Sequence, residues 1–126
     1  MKKIIQSRED IELLINNFYS KVRQDDVIGY IFNDIAKVDW GHHLPVMYDF
    51  WETMLLDAGK YNRNAMTPHL RLNKVEPLQQ KHFDRWLQLF SETVDAHFTG
   101  AVAEAAKAKA QQIAALMAFK VKQQSL

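Results

Sequence analysis

The chain has 126 residues, of which 48% are apolar and 25% charged. That is the make-up of one globular domain over 1–126, and it excludes a disordered tail, a collagen-like repeat or a coiled-coil rod. Sixteen Lys and Arg against fifteen Asp and Glu give a net charge of +1, and there is no cysteine. The charge gives no reason to expect a nucleic-acid or anionic-membrane partner. The missing thiols exclude a disulfide framework, thiolate metal sites and CxxC redox chemistry.

The N-terminal MKKIIQSREDIELL has only two apolar residues after its lysines, whereas a secretory leader needs about 7–15. The longest apolar run, Ile113 to Phe119, is seven residues, far short of the roughly 20 that cross a bilayer. A cytoplasmic location and no membrane partner are therefore expected.

Ser7 followed by Glu9 and Asp10 reads as an N-cap with an acidic first turn. Ile11, Leu14, Ile15, Phe18 and Val22 then mark one face of a helix that ends at Asp25–Asp26. Val27 to Phe32 predicts one or two helical turns, and Asn33 to Val38 a connection. Trp40, Leu44, Met47, Trp51, Leu55 and Ala58 repeat a helical period, with Gly59 as the stop. Pro45 cannot donate to the ladder and crowds the carbonyl of residue 41. The regular helix is therefore expected to begin near residue 43 or 44, after a looser turn carrying Trp40 and His42. Residues 59 to 76 read mostly as loop, apart from Thr67-Pro68-His69, which suits the first turn of a very short helix. Pro77 is expected to open a long helix with the stripe Phe83, Trp86, Leu87, Phe90, Val94, His97 and Phe98, broken at Thr99–Gly100. A last helix runs from about Ala101 to Lys122, with Val102, Ala106, Ala110, Ile113, Met117 and Val121 on one side. No segment alternates with period two, so the chain reads as all-α.

Phosphate loops, dinucleotide fingerprints, zinc-hydrolase motifs and nucleophile elbows are all absent from the sequence. Lys107, Lys109, Lys120 and Lys122 look like a solvated helix face. The chemistry on offer lies in five histidines and a set of aromatics. His69 is either an exposed loop residue or an imidazole held by its backbone to ligate iron from one side. His43, Met47, Phe50 and Trp51 share one helical face. They read either as a core stripe with a His at its edge or as a wall against a flat cofactor. Tyr19 borders the buried face of the first helix, and its hydroxyl needs a backbone or ligand partner. Trp86 is either a core anchor or a donor, since its indole N–H can only donate.

Taken in order, Phe18-Tyr19, Tyr30-Ile31-Phe32-Asn33, Trp40 with His43, Phe50-Trp51, Tyr61-Asn62, Pro68-His69-Leu70 and His82-Phe83-Asp84-Arg85-Trp86-Leu87-Gln88-Leu89-Phe90 resemble the truncated haemoglobins, and within them the group III branch. The resemblance spans about residues 8 to 117. It implies a two-over-two helical sandwich that holds haem b, non-covalently since there is no Cys-x-x-Cys-His, with His69 as the proximal ligand to iron. It implies that Tyr19, His43 and Trp86 face the bound gas and that Phe32 packs on the porphyrin. Met47, Phe50, Trp51, Met66, Leu70 and Phe83 would complete the pocket wall. Arg71, with Arg63 and Lys74, lies near His69 and is available to pair with the haem propionates. Pro45 departs from the family pattern and alters the start of the distal helix.

The function so implied is binding of O2 and other diatomic ligands, with nitric-oxide or peroxide chemistry as an extension, nitric-oxide dioxygenase and peroxidase-like activities among them. A separate, unidentified reductant is expected, because no reductase domain is attached. The competing reading is a haem-free helical interaction module in which Trp40, Trp51 and Trp86 are only core or interface anchors.

Overall fold

In the computed structural model, which describes residues 2–56 and 78–124, Ser7 is extended and its side chain accepts the Asp10 amide. This starts α1, Arg8–Gln24, with acidic residues in its first turn and basic ones in its last, the order that the helix dipole favours. Its buried face is Ile11, Leu14, Ile15, Phe18, Tyr19 and Val22, which is the anticipated stripe with Tyr19 added. The helix stops at Asp25 because its carboxylate takes the amides of Val27 and Ile28, at 2.9 and 3.1 Å, and draws the chain out of the ladder.

The helical turn that follows runs further than Phe32. Ile31–Ile35 winds as a π-helix, closed by the Ala36 amide on the Ile31 carbonyl at 2.7 Å. The connection expected from Asn33 therefore begins only at Ala36. A bond to the fifth residue leaves no mark in steps of three and four, which is why the pattern hid it. Lys37 then takes the left-handed conformation, φ +50°, and the Val38 amide returns to the Phe32 carbonyl at 3.0 Å.

Helix α2, Trp40–Leu56, holds Pro45 in its interior. This corrects the expected start at 43 or 44: the amides of His42 and His43 already bond to the Asp39 carbonyl, at 3.1 and 2.8 Å. Proline in a helix costs about 3 kcal/mol. Trp40 offsets that cost by packing on Tyr19, Phe32 and His43. The anticipated Gly59 stop, the 59–76 loop and the short helix at 67–69 lie outside the described residues.

Helix α3, Gln80–His97, begins later than the expected Pro77, which is itself outside the described residues. Its cap is contributed from within: His82 Nδ1 accepts the Gln79 amide at 2.9 Å. After Phe98 the chain turns at Gly100, φ +102°, into α4, Ala101–Gln124. Ala103, Ala106, Ala110, Ala114, Met117 and Val121 are its buried side, and the small alanines let it lie close on α3. Among the described residues there is no strand. One isolated parallel bridge joins Lys3 to Phe98 and seats Ile5, which is 1% exposed, in the core.

Helix α1 packs on α2 and on α3, and α3 packs on α4. The result is the two-over-two helical sandwich. Phe90 sits where the pairs cross: Trp51 stacks on it at 4.7 Å, Trp86 at 5.8 Å, and Phe18 meets it edge-on at 5.2 Å. No described helix is long and apolar enough to cross a membrane.

Candidate functional site

One cavity of about 900 Å³, open mouth included, lies between the two helix pairs. Tyr19 enters it from α1, Ile28, Ile31 and Phe32 from the π-turn region, and His43, Met47, Phe50 and Trp51 from α2. Leu78 precedes α3, which contributes His82, Phe83 and Trp86, and α4 adds Ile113, Ala114 and Met117. Among the described residues these walls carry no carboxylate and no ammonium group. The polar groups among the described lining residues are one phenol, two imidazoles and one indole.

Tyr19 reaches the cavity because it lies one residue past the central core position Phe18, on the border of the buried stripe. It is 6% exposed. Burial pushes its phenol well above the ordinary tyrosine range, and an interaction with the indole of Trp86 offsets part of that rise. Since the indole only donates, it meets the Tyr19 oxygen and leaves the Tyr19 O–H to serve another acceptor. The His43 ring stands edge-on to Tyr19 at 5.4 Å, and its Nε2 is buried. Phenol, imidazole and indole thus meet from three different helices. The fourth polar group, His82, sits one turn before Trp86. Its Nδ1 is an acceptor for the Gln79 amide, so the neutral ring carries its proton on Nε2, 3.5 Å from the Tyr30 hydroxyl.

The sequence profile of the bacterial-like globins matches residues 3–122. The chain is 34% identical over 111 residues to the group 3 truncated haemoglobin ctb of Campylobacter jejuni subsp. jejuni serotype O:2, covering 86% of this chain and 85% of that one. The crystal structure of a group III truncated haemoglobin from Campylobacter jejuni superposes with a TM-score of 0.82 at 33% identity, covering 96% of this chain and 95% of the other. The chain belongs to the group III truncated haemoglobins.

Membership implies a haem-binding globin, and the cavity of this truncated haemoglobin fits such a group. Its described walls are mostly apolar and carry the rings of Phe32, Phe50, Trp51 and Phe83, which suit a porphyrin. Its lining has, among the described residues, no carboxylate that would compete for iron. Among the described residues no three His, Asp or Glu gather to hold a bare metal ion.

Of the residues singled out in the sequence, Tyr19, Phe32, His43, Met47, Phe50, Trp51, Phe83 and Trp86 all line this one cavity. His69, Met66, Leu70 and Arg71, with Arg63 and Lys74, lie outside the described residues. Sequence reasoning missed His82, although its place four residues before Trp86, on the same face, was a usable signal. It also missed the turn residues Ile28 and Ile31, and Ala114 and Met117 as cavity wall. Nothing local distinguishes those from ordinary core.

Proposed function

We propose that the chain binds one haem b non-covalently, with His69 as the residue that would hold its iron, and holds O2 and other diatomic gases in the cavity lined by Tyr19, His43 and Trp86. The observation that carries this reading is the convergence of Tyr19, His43 and Trp86, one from each of three helices, on a cavity whose described walls are apolar apart from these three and His82. When bound, haem supplies an iron atom that takes a diatomic gas and passes electron density to it. The protein's part would be to stabilise partial negative charge on the held gas by hydrogen bonding. The Tyr19 O–H keeps its proton because burial disfavours the phenolate. It is therefore a donor at every ordinary pH. Trp86 polarises it from behind through the phenol oxygen, and His43 closes the same side of the cavity. In a site this dry such donors act with little screening. The apolar floor of Met47, Phe50, Phe83 and Met117 excludes water that would compete for them.

Three donors suit retention, or chemistry on the held gas with nitric oxide or peroxide, better than delivery. That chemistry draws electrons from a separate reductant. The test is an absorption spectrum of the purified protein, oxidised, reduced and with carbon monoxide. An intense Soret band with one haem per chain is expected, and His69→Ala is expected to lose stable haem. A colourless, folded protein that takes up no haem would refute the reading.

A further inference from the structure

We propose that Trp40 is the positioning residue of the donor cluster, held in place by Arg23 stacked on its ring. The inference rests on the gas-binding reading above for its function, and on ring geometry for its substance. Trp40 does not itself line the cavity; it stands behind three residues that do. Its ring lies 5.3 Å from that of Tyr19, 5.6 Å from that of His43, nearly perpendicular, and 6.1 Å from that of Phe32, stacked at 27°. Tyr19 and His43 therefore share one support, although they belong to different helices.

The support is itself fixed. Trp40 is the first residue of α2, and the left-handed Lys37 aims the chain into that position. The half-buried indole carries the Arg23 guanidinium at 5.0 Å from its ring centroid, within the range of a cation–π contact. Arg23 is exposed in the last turn of α1, and its carbonyl accepts the Asn33 side-chain amide at 2.8 Å. The stack is thus tied at one point to α1, to the π-turn and to α2, the three elements that carry Tyr19, Phe32 and His43. Without the indole the Tyr19 and His43 rings lose their common neighbour, and each is free to settle independently.

The experiment compares wild type, Trp40→Ala, Trp40→Phe and Arg23→Ala, with Met54→Ala, an exposed change on the same helix, as control. Two quantities are read: the C–O stretching band of the carbon monoxide complex, and the ring resonances of selectively labelled tyrosine. Wild type and Met54→Ala should show one dominant band and one Tyr19 environment. Trp40→Ala should split or shift the band and broaden or move the Tyr19 signal. Trp40→Phe, which keeps a ring in place, should return most of the wild-type pattern. Arg23→Ala should enlarge the minor band about two- to fivefold, the population change expected from loss of one exposed cation–π contact. Wild-type band and Tyr19 signal in Trp40→Ala would overturn the proposal. If that variant does not fold, wild-type spectra in Arg23→Ala and an unsplit but shifted band in Trp40→Phe would overturn it instead. Should no variant, wild type included, take up haem, the gas-binding reading fails. The tyrosine resonances alone then decide whether Trp40 positions Tyr19.

Discussion

Tyr19→Phe removes one oxygen from the donor cluster and leaves its ring contacts in place. The phenyl ring still meets Phe18 at 4.8 Å, Trp40 at 5.3 Å and His43 at 5.4 Å, so the helix and the cavity should keep their shape. A neutral hydrogen bond is worth about 0.5–1.5 kcal/mol net. Its loss should speed O2 dissociation about 2- to 13-fold. The same change frees the Trp86 indole N–H from the phenol oxygen it now meets, and a freed donor can turn to the gas. The single variant therefore understates what the pair contributes. Trp86→Phe, in turn, removes that reserve while leaving the Tyr19 O–H in place. For independent donors the double variant would accelerate release by the product of the single factors, about 5- to 160-fold. With the indole acting as a reserve donor, the double variant should exceed the product of the two measured factors by more than about twofold, which is the scatter of additive sites. Rapid mixing of the oxygenated protein with carbon monoxide gives all four rates. An unchanged rate in Tyr19→Phe would refute the donor role of Tyr19. A double variant equal to the product would refute the coupling to Trp86.

Tyr19 also sets an alkaline limit. Its folded pKa is raised, so the stability it contributes is fully present below the unfolded phenol value of about 10 and is lost as the pH rises beyond it; urea titrations above that pH should show Tyr19→Phe losing less stability than wild type. Asp25 works at the acid end. Burial alone would raise its pKa, but hydrogen bonds from Arg85, Ile28 and Val27 outweigh that and hold the carboxyl below its ordinary range. The stability it contributes is present above about pH 4 and is lost as the pH falls through the lowered folded value. Asp25→Asn should cost about 1–2 kcal/mol at pH 7, the low end for a charged bond because Arg85 is 32% exposed. Urea curves of the two proteins should draw together as the pH falls below 4. Lys37, at φ +50°, carries left-handed strain of about 1–2 kcal/mol. Lys37→Gly should raise the urea midpoint by the equivalent of about 0.5–1 kcal/mol after the chain-entropy cost of glycine, whereas Lys37→Val should lower it; a drop with glycine would show that the turn is unstrained.

The long helices were legible because their burial follows a 3.6-residue period. The Ile11 to Val22 face and the Ser7 cap needed nothing beyond the local pattern. The misplaced boundaries have a different cause. Pro45 argues locally against a helix starting at Trp40, and only the rings of Tyr19, Phe32 and His43, brought there by other elements, outweigh it. The π-turn at Ile31–Ile35 was hidden because its bond spans five residues, and the cap of α3 because it comes from a histidine side chain three positions into the structure it closes. In the site, residues on helical faces could be grouped from spacing: His43, Met47, Phe50 and Trp51 fall together at steps of four, seven and eight. Their relation to Tyr19 and Trp86 could not be grouped that way, because no spacing joins α1, α2 and α3. Only the ordered resemblance to truncated haemoglobins linked them.

Why three donors from three helices stay in register follows from where α1 is held. Near its first turn, Arg8 binds Asp49 and the buried Glu52 of α2, each at 2.7 Å, and lies over the Tyr48 ring. At its other end Asp25 binds Arg85 of α3 at 2.7 Å. One ion pair cluster therefore sets α1 against the helix of His43, and the other sets α1 against the helix of Trp86, with Tyr19 between them. Phe18, beside Tyr19, fixes the middle by its edge contacts to Trp86 and Phe90. Apolar packing alone would tolerate a small slide of α1 along its groove, since hydrophobic contact has no preferred direction. Hydrogen-bonded charges at both ends have fixed lengths and remove that freedom. The polar ties far from the cavity are thus the means by which an apolar pocket keeps a directional donor set.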